Sequence, residues 1–335
     1  MGLGRGLGRA TCKPVTAAPG KPPIDHAFRS ETLKGGAADP TYAGALSFMR
    51  RRYSRDLTGV DLAILGVPLD VTVTNRPGAR FGPQAIRRAS AIFDGDPQYP
   101  FGIDIFGELA TVDCGDVAFD LHNPMSIPDA IETEARVVLD SDVHLFTLGG
   151  DHFITWPLLK AHAAKYGPLA LVQFDAHQDT WEDDGSKLNH GSFIARAVRE
   201  GVINPACSVQ IGIRTHAPAD FGIQVMGAYD AHRAGADRIA EMIRQRVNGQ
   251  PAYLSFDIDC LDPAFAPGTG TPVSGGLSSA QALMILAGLG AVNFVGGDVV
   301  EVSPPYDHAD MTAIAAATVA QHYIGLLATR RPALR

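Results

Sequence analysis

The run Tyr253-Leu-Ser-Phe-Asp-Ile-Asp-Cys-Leu-Asp-Pro-Ala-Phe-Ala-Pro-Gly-Thr-Gly-Thr-Pro272 carries a short hydrophobic strand straight into Asp257, Asp259 and Asp262. Burying one carboxylate among apolar neighbours is unfavourable, and gathering several is worse unless cations offset the repulsion. The segment therefore asks for metal.

Outward from this run, apolar stretches alternate with helical ones. Strands are expected at 61–69, 111–119, 143–148, 169–174, 208–213, 252–256 and 294–300. Helices are expected at 85–93, with Pro83 in the first turn, from an N-cap at Ser126 to about 139, and at 154–166, 192–200, 236–247, 279–289 and 311–327. Near-continuous apolar strands separated by helices predict a mainly parallel sheet covered on both faces, a three-layer α/β/α fold. No internal repeat or linker follows residue 60, so residues 25–335 are expected to form a single catalytic domain.

The reactive residue types fall at the ends of those strands. Gly149-Gly-Asp-His152, Asp175-Ala-His-Gln-Asp179, Asp257-Ile-Asp259 and Glu301 each follow a different strand. In open parallel sheets ligands bind outside the carboxyl ends of the strands, so these groups are expected on one rim. Asp175, His177 and Asp179, at i, i+2 and i+4, and Asp257 with Asp259, at i and i+2, would each share a side of extended backbone. With neutral imidazoles, the set His152, Asp175, His177, Asp179, Asp257 and Asp259 carries four negative charges, matching two divalent cations. Carboxylates with a minority of imidazoles and no thiolate suit Mn2+, while Fe, Co, Ni and Zn stay open. Such a pair of ions points to metal-assisted hydrolysis.

Composition agrees with an enzyme of small molecules. The 335 residues are 46% hydrophobic and 19% charged, enough to fill a sizeable core. A formal net charge of -8 argues against nucleic acid or anionic membrane as partner and favours a small cationic substrate. Cys12, Cys114, Cys207 and Cys260 show no CxxC spacing and read as reduced thiols of a cytoplasmic protein. The apolar run 313–328 is interrupted by Gln321, His322 and Tyr323, short of the roughly 18 unbroken residues of a membrane span. Residues 1–24 are basic and rich in Gly and Pro, which reads as a disordered or oligomer-contact arm.

Five segments together, GGDH (149–152), FDAHQD (174–179), HGS (190–192), SFDIDCLDPAFAPGTGTPVSGGL (255–277) and DVVEVSPPYD (298–307), resemble the motif set of the arginase/agmatinase ureohydrolases, over roughly residues 60–330. The long 257–273 run is most similar to agmatinases within that family. The resemblance implies the arginase/deacetylase-like version of the α/β/α fold and a homo-oligomer, trimer or hexamer. It implies one Mn2+ on His152, Asp175, Asp179 and Asp257 and another on Asp175, His177, Asp257 and Asp259. Glu301 would grip the guanidinium of the substrate, and His190 would move protons to the leaving amine. Asp262 then drops to a turn residue, and Cys260 to packing. His144, His162, His216, His232, His308 and His322 fall outside the motifs.

The loop 180–189 should set the substrate. Glu182, Asp183 and Asp184 make an acidic rim, and Trp181 offers a cation–π face worth about 0.5–2 kcal/mol. Agmatine, a guanidinium with a terminal ammonium, meets both and would give putrescine and urea. Lys187 in the same loop, and Gln178 where agmatinases commonly carry Thr or Ser, keep another guanidino substrate open: guanidinobutyrate, guanidinopropionate, guanidine or a biguanide, with Ni2+ as an alternative metal. A carboxylate tail would need a cation such as Arg76 or Arg80. A catalytically silent partner subunit of an active paralogue is the third reading, against which all the candidate site residues are present.

Overall fold

The computed structural model describes residues 32–37, 39–93, 97–182 and 184–330. The expected arm at 1–24 and the candidate substrate residue Asp183 lie outside the described residues.

Nine strands are described: β1 (Arg52–Tyr53), β2 (Leu62–Val67), β3 (Thr111–Asp116), β4 (His144–Gly149), β5 (Ala170–Phe174), β6 (Val209–Ile213), β7 (Gln224–Gly227), β8 (Ala252–Asp257) and β9 (Phe294–Val300). They form one sheet in the order β1-β3-β2-β4-β9-β8-β5-β6-β7, and every pairing is parallel. The helices are α1 (Gly82–Ser90), α2 (Ile105–Glu108), α3 (Ile127–Asp140), α4 (Thr155–Tyr166), α5 (Phe193–Arg199), α6 (Ala228–Ala234), α7 (Ala236–Val247), α8 (Ser279–Ala287) and α9 (Met311–Arg330).

Alternate side chains of a strand point to opposite faces, and the core divides accordingly. Leu62, Ile64, Phe146 and Leu148 join a cluster with α1, α7, α8 and α9. Ala63, Leu65, Val67 and Leu145 join a second cluster with α3, α4 and α5. The sheet is thus sandwiched between two helical layers, the expected three-layer α/β/α arrangement.

Register places the strand ends side by side. Leu148 pairs with Val299, Asp257 with Val300, and Phe256 with Phe174. Gly149, Asp257, Val300 and Asp175 therefore lie along one row at the rim. The chain leaves β4 and β5 toward the α4/α5 layer but leaves β8 and β9 toward the α8/α9 layer. Departure to opposite faces opens a crevice at the rim, where ligands of such sheets sit.

Most expected elements appear within a few residues of their expected ends. The pattern did not signal the edge strands β1 and β7 or the short helices α2 and α6. β1 has only two residues, and β7 is half-exposed, so neither presents an apolar run. Ser126 precedes α3 as expected but does not cap it: its backbone is already helical, at φ −87° and ψ −10°, rather than in the extended conformation of a capping residue. α9 is long and apolar enough by composition to cross a membrane; 72% of its most apolar stretch is buried inside the protein, as befits a core helix.

Candidate metal centre

Glycine admits the first candidate ligand. A side chain at Gly150 would come within 2.2 Å of the Leu69 carbonyl, so only Gly lets the end of β4 pass the β2 loop and deliver His152 to the rim. The imidazole is 1% exposed and stacks near Phe193, with ring centroids 4.5 Å apart. Its Nδ1 lies 3.0 Å from Asp175 Oδ2, 3.0 Å from Asp179 Oδ2 and 3.1 Å from Asp257 Oδ2.

The i, i+2 spacing works differently from extended alternation. β5 ends at Phe174, and Asp175 Oδ1 accepts the backbone N–H of His177 at 2.6 Å. Asp257 Oδ1 likewise accepts the N–H of Asp259 at 2.8 Å. Each Asp folds the chain into a tight turn with one oxygen and turns the other to the centre. Asp179 then adopts a left-handed φ of 50°, and Glu301 one of 63°, conformations that non-glycine residues hold only when their surroundings impose them.

All six residues converge. His152, Asp175 and Asp179 form one group able to hold an ion, with Asp257 against the same imidazole nitrogen. Asp175, His177 and Asp259 form another, His177 Nδ1 lying 3.1 Å from Asp259 Oδ2 and 3.4 Å from Asp175 Oδ1. Asp175 belongs to both groups.

The charges conflict without a cation. Burial and the neighbouring Asp259 and Asp175 push Asp257 well above the usual carboxylate range. Burial and Asp175 raise Asp179 to about 6. Burial opposes charging of His177, yet Asp259 and Asp175 lift it to about 12; at His152 three carboxylates likewise outweigh burial. Among the described residues His152 Nδ1 is buried without a hydrogen-bond partner, in the midst of three carboxylate oxygens. An electron-pair donor surrounded by anions is the environment of a metal ligand, and the donor set fits hard or borderline divalent ions.

Glu301 and His190 sit beside this cluster. Glu301, 1% exposed, accepts the His152 backbone N–H at 2.8 Å through Oε1, which also lies 2.9 Å from His190 Nδ1. Glu301 Oε2 is buried without a hydrogen-bond partner among the described residues. Burial disfavours the His190 imidazolium, but Glu301 outweighs it and raises the pKa to about 9. His190 Nε2 lies 3.1 Å from the Thr74 hydroxyl. A cavity of about 310 Å3 opens over these groups, lined by Thr74, Trp181, Asn189, His190, Thr271 and four of the candidate metal residues.

The flanking loops sort the substrate residues. Trp181 lines the cavity, whereas Glu182 is exposed and Asp184 faces a separate pocket beside Trp156 and Arg196, accepting from Ser186. Of the expected acidic rim, neither Glu182 nor Asp184 lines this cavity, and Asp183 lies outside the described residues. Arg80 pairs with Asp70 at 2.5 Å, and Arg76 lies over the Tyr306 ring, 5.1 Å from its centroid. Lys187 is exposed. Gln178 faces away, its Oε1 accepting the Ala217 N–H at 2.8 Å. Asp262 accepts the N–H groups of Ala264, Gly275 and Gly276, the turn role expected for it. Cys260 is buried, and burial beside Asp257 and Asp259 raises its thiol pKa, in keeping with packing.

The sequence reading passed over Asp151, Thr74, Asn189 and Thr271. Asp151 stood inside the GGDH motif; it is fully buried and accepts the Thr72 N–H at 3.0 Å. Burial and Glu301 raise its pKa to about 6.

Residues 60–325 match the model of the arginase family. The chain belongs to the arginase family. It is 53% identical to an agmatinase of Chromobacterium violaceum over 92% of this chain and 97% of that one. Among solved structures it is similar to a hypothetical agmatinase from Burkholderia thailandensis, with 55% identity, TM-score 0.90, and coverage of 92% of this chain and 99% of that one. It is also similar to proclavaminate amidino hydrolase from Streptomyces clavuligerus, at 38% identity and TM-score 0.83, over 87% and 99% of the two chains. Arginase-family membership makes this an enzyme of the ureohydrolase type with a binuclear divalent centre.

Proposed function

We propose that this chain hydrolyses agmatine to putrescine and urea. The observation that carries the reaction is the convergence of His152, Asp175, His177, Asp179, Asp257 and Asp259 into two groups sharing Asp175. The substrate follows from the agmatinases that resemble the chain over most of its length. The cavity supports it, since no Arg or Lys lines it among the described residues, which disfavours a carboxylate tail.

In this reading His152, Asp175, Asp179 and Asp257 hold one ion, and Asp175, His177, Asp257 and Asp259 the other, with Mn2+ matching the oxygen-rich donors. When bound, such a pair supplies hydroxide at neutral pH and stabilises the charge of a tetrahedral transition state. Glu301 orients the guanidinium: Oε1 is engaged by His152 and His190, so the unengaged Oε2 accepts from the substrate N–H groups. His190, held as a proton donor by Glu301, protonates the departing amine through Nε2, the nitrogen turned toward Thr74 and the cavity. Trp181 lends its face to the ammonium end. Assembly as a homo-oligomer belongs to the same reading.

The test is a urea assay on the purified chain loaded with Mn2+ or Ni2+ and offered agmatine, arginine, guanidinobutyrate, guanidinopropionate, guanidine and a biguanide. Urea and putrescine in equal amounts from agmatine are expected. Urea from another member of the panel but none from agmatine overturns the substrate assignment.

A further inference from the structure

Behind His152 lies a buried polar network that the reaction above does not use. His152 Nε2 is 2.9 Å from Ser255 Oγ, and the Ser255 hydroxyl donates to Asp298 Oδ1 at 2.7 Å. Asp298 Oδ2 accepts the hydroxyls of Thr155 and Tyr253, each at 2.9 Å. Asp298, Ser255, Thr155 and Tyr253 are all 0% exposed. The residues come from β8, β9 and the first turn of α4, so the network ties together the strands and helix that carry the rim.

We infer that Asp298 is a positioning residue, which through Ser255 decides which nitrogen of His152 presents a lone pair to the carboxylate cluster. A hydroxyl has a single proton. With Ser255 donating it to Asp298, Ser255 Oγ can only accept from His152, so Nε2 carries the imidazole proton. In the neutral imidazole that ligates a cation, Nδ1 then carries the lone pair, and it is this nitrogen that lies 3.0–3.1 Å from Asp175, Asp179 and Asp257, with no hydrogen-bond partner among the described residues. A proton on Asp298 Oδ2, shared with Tyr253 or Thr155, would leave Oδ1 accepting from Ser255 and the direction unchanged. Reversing the relay would place a proton on Nδ1 and block ligation there. Partners behind a ligating imidazole fix its tautomer and are worth about 10–100-fold in metal affinity.

The inference rests on the metal reading above, and it concerns one ion rather than both. Mn2+ titrations of the wild type and of variants, read as ions bound per chain and their Kd values, separate the two claims. Ser255→Ala and Asp298→Leu should weaken one of two ions about 10–100-fold and leave the other within about threefold. Asp298→Asn, which can turn its carbonyl to Ser255 and its amide to Thr155 and Tyr253, should recover most of the loss. Tyr253→Phe, which spares the Ser255–Asp298 bond, should retain both ions. Wild type binding two ions while Ser255→Ala and Asp298→Leu bind both with unchanged affinity overturns the relay alone. A loss in Tyr253→Phe as large as in Ser255→Ala makes the network merely structural and overturns it too. Wild type binding no divalent ion overturns the metal reading and the relay with it. On the unaltered chain loaded with diamagnetic Zn2+, 15N NMR of the histidines should show His152 ligating through Nδ1 with a hydrogen-bonded Nε2–H; ligation through Nε2 overturns the relay whatever the variants do.

Discussion

Two groups of buried or half-buried histidines in this protein carry opposite electrostatics. At the carboxyl rim, His152, His177 and His190 all have raised pKa values, His177 to about 12 and His190 to about 9. Away from the rim, His144 at the start of β4 is lowered to about 3 and His162 on α4 to about 4. Burial opposes the imidazolium in all five. The difference is the neighbour: the rim histidines face Asp175, Asp179, Asp257, Asp259 or Glu301, whereas His144 meets the Tyr323 hydroxyl and His162 the Leu158 carbonyl. Desolvation alone does not make a site; desolvation of groups that attract one another does.

Weakening the rim should have the largest effect. Asp257→Asn removes one charge from the carboxylates around His152 and should lower bound metal and urea production together, activity by about a hundredfold or more, beyond what loss of an indirect partner costs. Two ions retained at full activity would refute its place in the cluster. Next, His190→Asn should leave metal content near wild type while kcat falls about 10²–10⁴-fold, the range of a lost general acid. A kcat within threefold of wild type would remove His190 from proton transfer.

The two histidines away from the rim give a smaller effect with a definite sign. Their folded pKa values, about 3 and about 4, lie below the ordinary 6.5, so on acidification the unfolded chain takes up protons first. Their contribution to stability is full above about pH 6.5 and is lost as pH falls toward 4, at up to about 1.4 kcal/mol per pH unit for each histidine. His162→Gln should flatten the loss of stability between pH 6.5 and 4.5 relative to wild type, measured by urea unfolding of chelator-treated protein. An identical pH slope in the variant would show that His162 titrates alike in both states.

The six candidate ligands stood out in the sequence because chemistry restricts them: several acids and two histidines at the ends of apolar strands have few other uses. The mechanism of convergence was not. Spacing at i and i+2 suggested extended backbone, but Asp175 and Asp257 each bend the chain by accepting an N–H two residues on. What the loop after Trp181 faces depends on the fold in the same way. Glu182 and Asp184 are near Trp181 in sequence, but the loop turns Asp184 to another pocket. Thr74 and Asn189 carried no signal of their own, since a hydroxyl or amide in a loop is ordinary until the fold sets it over a cavity.

The amino-acid sequence by itself determined the parallel α/β/α fold and the metal-binding residue types, because apolar periodicity and clustered acids are local properties of a chain. Only the tertiary structure decided that Phe174 pairs with Phe256 and Leu148 with Val299, which brings Asp175, Asp257 and His152 to one point. It also decided that Glu301 has one engaged oxygen and one unpartnered one, and that Asp298 stands behind His152 through Ser255. Those relations join residues from separate strands and loops of the chain, and hydrogen-bond direction depends on the whole set of neighbours rather than on any one of them.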